Sequence, residues 1–168
     1  TNGIDTSYFS RSLFSHYEMD KLFMTNGIRK ENFVYIFIGR LVKHKGIIEL
    51  INAFINLYDL YPQIRLILVG EEESSLDPLP ESIRVTIHEH PGIKKVGYQS
   101  DIRPFLLISN VLTFPSYREG LPNVPLQACA MEIPVIVSDI IGCNEIVINE
   151  ENGLVVPPKD IQSLCTAM

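Results

Sequence analysis

Phe114-Pro115-Ser116-Tyr117-Arg118-Glu119-Gly120-Leu121-Pro122-Asn123-Val124-Pro125-Leu126-Gln127-Ala128 is the stretch on which the reading of this chain turns. It follows a short apolar, β-branched run, 110–114, that reads as a buried strand, and it leads into 125–132, which reads as a helix. Pro125 suits the first helical position, where its missing N–H costs nothing, and it pushes Val124 toward an extended conformation. The helix is therefore expected to begin close to 125. Its unpaired N–H groups and positive dipole end then face the loop and favour an anion such as a phosphate. Glu119 in the loop and Gln127 in the first turn bracket the same space with polar groups, the outline of a site for a ligand both anionic and rich in hydroxyls. Two other readings stay open on the residues alone: Gln127 as the N3 partner of a capping box bonded back to Val124, and Glu119 as a solvated loop acid.

Outward from this turn the alternation repeats. Residues 33–38 read as a buried strand, 39–46 as a loop, and 47–58 as a helix whose apolar positions recur at three- and four-residue spacing. A strand at 65–69 precedes an acidic loop over 71–82, and 83–87 and 93–96 are weaker strand candidates. A helix over 101–109, capped by Ser100 or Asp101, comes before the central strand; after the central helix follow a strand at 134–137, a short helix near 144–148, a strand at 153–156 and a last helix from Asp160. Residues 1–32 read as irregular, anchored by Phe9, Leu13, Phe14, Leu22 and Phe23. Strands separated by helices in this order imply an α/β fold, a Rossmann-like, doubly wound parallel sheet in one domain spanning 1–168. Ligands of such sheets bind outside the carboxyl ends of the strands, where the strand order reverses. The loops at 39–46, 70–75, 97–100 and 115–124 all leave that edge.

Charge and cysteine content narrow the partners. The 168 residues are 46% hydrophobic, enough for a well-buried core, and carry a net charge of −6, which argues against a nucleic-acid surface. Any phosphate must be held by a few local cations. Cys129, Cys143 and Cys165 are an odd set in apolar context, which suits free thiols of a reducing compartment such as the cytoplasm. No apolar run approaches the roughly 20 residues that span a bilayer, and the first residues lack a signal-peptide pattern, so a soluble chain is expected.

The first loop, Gly39-Arg40-Leu41-Val42-Lys43-His44-Lys45-Gly46, lacks the glycine spacing of a dinucleotide cradle. Phosphate recognition there falls to a guanidinium and an ammonium, unless Arg40, Lys43 and Lys45 merely solubilise the loop. His88 and His90 would share one face of a strand and invite a metal, but no third ligand stands at a suitable spacing and a polar strand end accounts for them equally. No Asp-x-Asp pair is present to hold a divalent ion against a diphosphate, and no Ser-His-Asp or Cys-His arrangement has a recognisable context.

Taken in order, these motifs resemble the C-terminal, nucleotide-sugar-binding half of the retaining glycosyltransferases of family 4, group 1 enzymes with the GT-B fold of two facing Rossmann-like domains. Asn2-Gly3-Ile4-Asp5 is similar to the linker entering that half, Gly39-Arg40-Leu41 with Lys45-Gly46 to the diphosphate loop, and Val69-Gly70 and Val96-Gly97 to strand ends near the base. Pro115-Ser116 through Glu119-Gly120-Leu121-Pro122 and on to Gln127-Ala128 resembles the paired-glutamate stretch, and Asn152-Gly153-Leu154-Val155-Val156-Pro157 the closing strand. The resemblance implies that Arg40 and Lys45 neutralise the departing diphosphate and that Glu119 contacts the donor sugar. It places Gly39, Gly120, Leu121, Asn123 and Val124 around sugar and phosphate oxygens, and Tyr98 and Gln99 near the base. The second glutamate, which receives the ribose hydroxyls, is Gln127 here. Gly142-Cys143-Asn144-Glu145 replaces a more glycine-rich pattern.

The implied activity is transfer of a sugar, with retention, from a nucleoside-diphosphate sugar, a UDP-sugar foremost, to a glycan or lipid-linked acceptor in bacterial surface-polysaccharide synthesis. No cofactor and no metal is expected. The acceptor would be bound by an N-terminal domain absent from this chain, so the chain alone is expected to be inactive, and the longer parent would be cytoplasmic or held peripherally at the inner face of the membrane. The alternatives are a nucleotide-sugar epimerase on the same fold and a non-catalytic nucleotide-binding module.

Overall fold

A computed structural model describes residues 3–73 and 75–168; Asn2, at the head of the linker motif, lies outside the described residues. Runs of β-branched and aromatic residues form six strands: Phe33–Ile38 (β1), Ile64–Val69 (β2), Ile93–Gly97 (β3), Val111–Phe114 (β4), Val135–Ser138 (β5) and Gly153–Val156 (β6). They make one sheet in the order β3-β2-β1-β4-β5-β6, with every neighbouring pair parallel. The inner strands are apolar almost throughout because parallel strands are covered on both faces.

The helices are His16–Thr25 (α1), Ile47–Leu60 (α2), Glu81–Glu89 (α3), Arg103–Leu107 (α4), Asn123–Ala130 (α5) and Ile161–Ala167 (α6). Right-handed crossovers put α2 and α3 on one face and α4 and α5 on the other, since the chain walks outward from β1 to β3 and then returns to start again at β4. α6 packs against α2. The order reverses between β1 and β4, where Tyr35 pairs with Val111 and Ile36 with Leu112, so the loops after these two strands flank the switch point.

Five elements differ from the reading of the sequence. Residues 16–25, read as irregular, form α1, started by a capping box in which Ser15 and Glu18 bond to each other's backbone; its inward side chains Met19, Leu22 and Phe23 pack on the core. Residues 83–87, a strand candidate, lie in α3, because Ile83 and Ile87 at four-residue spacing are buried while Val85 is exposed. The helix near 144–148 is a set of turns held by bonds such as Val147 N to the Cys143 carbonyl, 2.9 Å. The 101–109 helix is shorter, Arg103–Leu107. The central helix also begins two residues earlier than Pro125, at Asn123, with Pro122 as its extended N-cap.

Three glycines allow the loops of the carboxyl edge to touch. Gly46 has φ 73° and ends the short 3-10 turn Lys43–Lys45, and a Cβ there would overlap the carbonyl of Pro115. A Cβ on Gly70 would overlap the Gly39 carbonyl, and one on Gly142 the Gly120 carbonyl. Gly46→Ala is therefore expected to lower stability by at least about 2 kcal/mol, combining left-handed strain with backbone overlap. Gly120, with open space around it, should tolerate alanine within about 0.5 kcal/mol. Urea unfolding of both variants checks the contrast.

Candidate functional site

The two loops at the switch point meet over a pair of charges. Lys45, from the β1 loop, donates from Nζ to Glu119 Oε1, from the β4 loop. Both side chains are largely buried, at 16% and 14% exposure, and Lys45 Nζ also lies 5.7 Å from the centre of the Phe114 ring. Buried Ser116 donates from Oγ to the same Glu119 oxygen at 2.6 Å. Glu119 Oε2 accepts nothing from the described residues, which leaves one lone-pair edge for a ligand hydroxyl.

The backbone of the β1 loop supports this pair. The His44 carbonyl accepts from Tyr117 N at 2.9 Å. His44 in turn is held by Asp77: its N–H donates to Oδ2 at 2.6 Å and its Nδ1 lies 2.9 Å from the same oxygen. Tyr117 donates its hydroxyl to the Glu49 carboxylate at 2.7 Å, and burial and that bond hold the phenol protonated. Cys143 is fully buried, and burial followed by the charge of Glu119 pushes its thiol up to about 12, so it is an inert neutral thiol at physiological pH.

Two cavities meet here. Arg40, His44, Lys45, Arg118, Glu119 and Gly120 line a cationic one of 390 Å³. A more apolar one of 440 Å³ lies beside it, between the ends of β1, β2 and β3 and the start of α5; its walls include Gly39, Tyr98, Gln99, Val124 and Gln127. Arg40 belongs to both, and its guanidinium is half exposed with one nitrogen on Glu73 Oε2 at 2.7 Å, its other donors unpaired among the described residues. Such a pair of spaces suits a ligand with an anionic middle, an apolar ring at one end and hydroxyls at the other.

Most residues singled out from the sequence converge on these walls; Leu121 and Asn123 line neither. The start of α5 gives Asn123 another role. Of the four N–H groups a helix leaves unpaired at its start, Pro122 and Pro125 supply none, so the donors there are Asn123 and Val124, and neither finds an acceptor among the described residues. Gln127 sits beyond the N3 position, so the capping-box reading fails; its side chain makes no hydrogen bond among the described residues.

Sequence reasoning missed His44, Arg118 and Glu71. Arg118 lies inside the quoted stretch as a further exposed cation, whereas Glu71 is recruited by tertiary contact, accepting from Tyr98 N at 3.0 Å. His88 and His90 flank the end of α3, not a strand: His88 pairs with Glu72 at 3.3 Å and His90 packs on Phe54 and Tyr58, with burial lowering its pKa. Among the described residues no cluster of metal-ligating side chains forms, and no helix is long and apolar enough to cross a membrane.

A parallel sheet in the order 3-2-1-4-5-6 with a cationic cleft at its switch point defines a Rossmann-like domain. Residues 18–168 match the sequence model of the Glycosyl transferases group 1 family; the chain belongs to that family, and its fold is that of one half of the GT-B architecture. It is 35% identical over 136 residues to the capsular polysaccharide biosynthesis glycosyltransferase CapM of Staphylococcus aureus, covering 80% of this chain and 35% of CapM. Over 169 residues it is 29% identical to the UDP-Gal:alpha-D-GlcNAc-diphosphoundecaprenol alpha-1,3-galactosyltransferase of Escherichia coli, covering 99% of this chain and 43% of that enzyme. Anabaena HepE, solved in complex with UDP and glucose, superposes with a TM-score of 0.86 at 25% identity, over 98% of this chain and 44% of HepE. The chain thus spans less than half the length of these relatives.

Asp77 provides a test of the loop support. The His44 N–H lowers its pKa below the usual carboxylate value, so its contribution is complete above about pH 4 and is lost as pH falls through the depressed folded-state value. Asp77→Asn is expected to lower the urea midpoint at pH 7, with the gap to wild type shrinking below about pH 4. A gap independent of pH would remove the carboxylate from this role.

Proposed function

We propose that this chain is the donor-binding half of a glycosyltransferase that moves a sugar from a nucleoside-diphosphate sugar, a UDP-sugar foremost, to a glycan or lipid-linked acceptor with retention of configuration. The observation that carries the reading is the Lys45–Glu119 pair at the β1/β4 switch point, with Arg40 joining its cleft to the apolar cavity. UDP in the HepE complex and UDP-Gal in the name of the Escherichia coli relative support the choice of nucleotide. The name of CapM supports a place in bacterial surface-polysaccharide synthesis.

In this reading the base and ribose occupy the apolar cavity, with Gln127 on the ribose diol. The diphosphate lies along Arg40, Lys45 and the free N–H groups of Asn123 and Val124. The sugar reaches Glu119 Oε2. As the glycosidic bond to phosphate breaks, positive charge grows on the sugar and negative charge on the diphosphate, and the fixed cations stabilise that anion without reorganising. The acceptor site belongs to a part of the enzyme outside this chain, at a cytoplasmic site or the inner face of a membrane.

Because side-chain cations take the place of a divalent ion at the diphosphate, binding should be independent of metal. Calorimetry is expected to show the chain binding UDP equally with and without EDTA while transferring no sugar alone, and chelation should leave the activity of the full-length parent intact. Activity that vanishes with EDTA and returns with manganese would overturn the roles of Arg40 and Lys45.

Gln127 is the second test. A diol both donates and accepts, so an amide can serve both hydroxyls, whereas a carboxylate binds more strongly but sits in the field of the diphosphate. Gln127→Glu is expected to change UDP affinity by less than about 1 kcal/mol, and Gln127→Ala to weaken it by roughly 1–3 kcal/mol with the melting temperature nearly unchanged. Unchanged affinity in Gln127→Ala decides against the ribose role.

A further inference from the structure

The apolar cavity has a wall that the nucleotide reading does not use: Tyr8, from the segment before α1. We propose that Tyr8 is a base-stacking residue of this cavity, held in place by Arg103 and Asp101; the inference rests on the donor-site reading above. Arg40 joins the cavity to the cationic cleft and so marks its diphosphate end. The base then belongs toward the β3 edge of the sheet, where Tyr98, Gln99, Asp101 and Ile102 follow β3 and Tyr8 packs against Arg103.

The ring is held by its neighbours yet borders the cavity: the Phe9 ring packs against it at a steep angle, with centroids 5.2 Å apart. The Arg103 guanidinium lies over it, 3.7 Å from the centroid, and Arg103 Nη1 donates to the Tyr8 carbonyl at 3.1 Å. Arg103 itself is locked by a fork on Asp101, Nε to Oδ1 at 2.8 Å and Nη2 to Oδ2 at 2.6 Å. The backbone is pinned as well: Asp5 Oδ1 accepts from Ser7 N and Tyr8 N, the Asp5 carbonyl accepts from Phe9 N, and Phe9 is buried in the core. Yet Tyr8 is 45% exposed, and its hydroxyl makes no hydrogen bond among the described residues. A pre-positioned ring that carries a cation and borders a cavity is suited to stacking, which accepts any base because every base has a π-face. Tyr8 lies outside the span 18–168 shared with the family model, so this wall is a property of the segment preceding that span.

Calorimetric titration of the 168-residue chain with UDP and with inorganic pyrophosphate, which has no base, separates stacking from general support of the site. Tyr8→Ala is expected to weaken UDP binding roughly tenfold while pyrophosphate affinity stays within about twofold, and Tyr8→Phe to keep UDP affinity within about twofold. Tyr8→Leu, which keeps apolar volume without the ring, should lose UDP affinity like Tyr8→Ala and serves if the alanine variant melts. Unchanged UDP affinity in the alanine or leucine variant overturns the proposal, as does an equal proportional loss for UDP and pyrophosphate. A wild-type chain that binds no UDP overturns the donor reading and this inference with it, whereas binding that ignores Tyr8 overturns this inference alone.

Discussion

The close approach of two backbones, Gly46 against the Pro115 carbonyl, is the constraint on which the rest of the site depends. It lets the loops after β1 and β4 touch, and it brings Lys45 within bonding reach of Glu119. Neither charge would be tolerated alone at such low exposure, because desolvating an ion costs several kcal/mol unless a partner and hydrogen bonds compensate. Ser116 supplies the extra bond to the carboxylate and the Phe114 ring lies near the ammonium. The geometry and the electrostatics therefore require each other.

Around this contact the molecule is layered by rigidity. Behind the pair stand the His44 backbone, clamped by Asp77, and Tyr117, tied to Glu49 with Lys159 over its ring at 4.8 Å. On the far side Gly142 presses on the Gly120 carbonyl, so the loop after β5 backs the loop after β4. In front, Arg40 and Arg118 remain exposed. A chain of net charge −6 thus presents a locally cationic cleft, since field at a site depends on nearby fixed groups more than on the total.

Local pattern made much of this legible. The β-branched runs of β1, β2, β4 and β5 can hardly be anything but buried strands, and their alternation with helices implies parallel topology. Where the structure departs from local pattern, local signals compete. Ile83-Arg-Val-Thr-Ile87 has the composition of a strand, but its buried pair recurs at helical spacing. The capping box of α1, Ser15 and Glu18, stands in the sequence within a stretch of weak periodicity. At α5 two prolines competed for the first turn, and Pro122 took the N-cap with Pro125 at N3, which removed the capping role from Gln127.

The inner strands, the doubly wound class and the cations and carboxylate of the two loops are legible in local pattern, because these follow from hydrophobic period and residue chemistry over a few neighbours. Which of them meet is set by the packing of the fold. Lys45 and Glu119 are separated by 74 positions and are joined through a strand order that puts β4 beside β1. Glu71 on Tyr98 N, Asp77 on His44 and Tyr8 on Arg103 have the same origin: each is a contact between distant segments, set by crossover topology and by where a glycine lets two backbones approach. No local pattern encodes such a meeting, since its cause is the packing of the whole sheet.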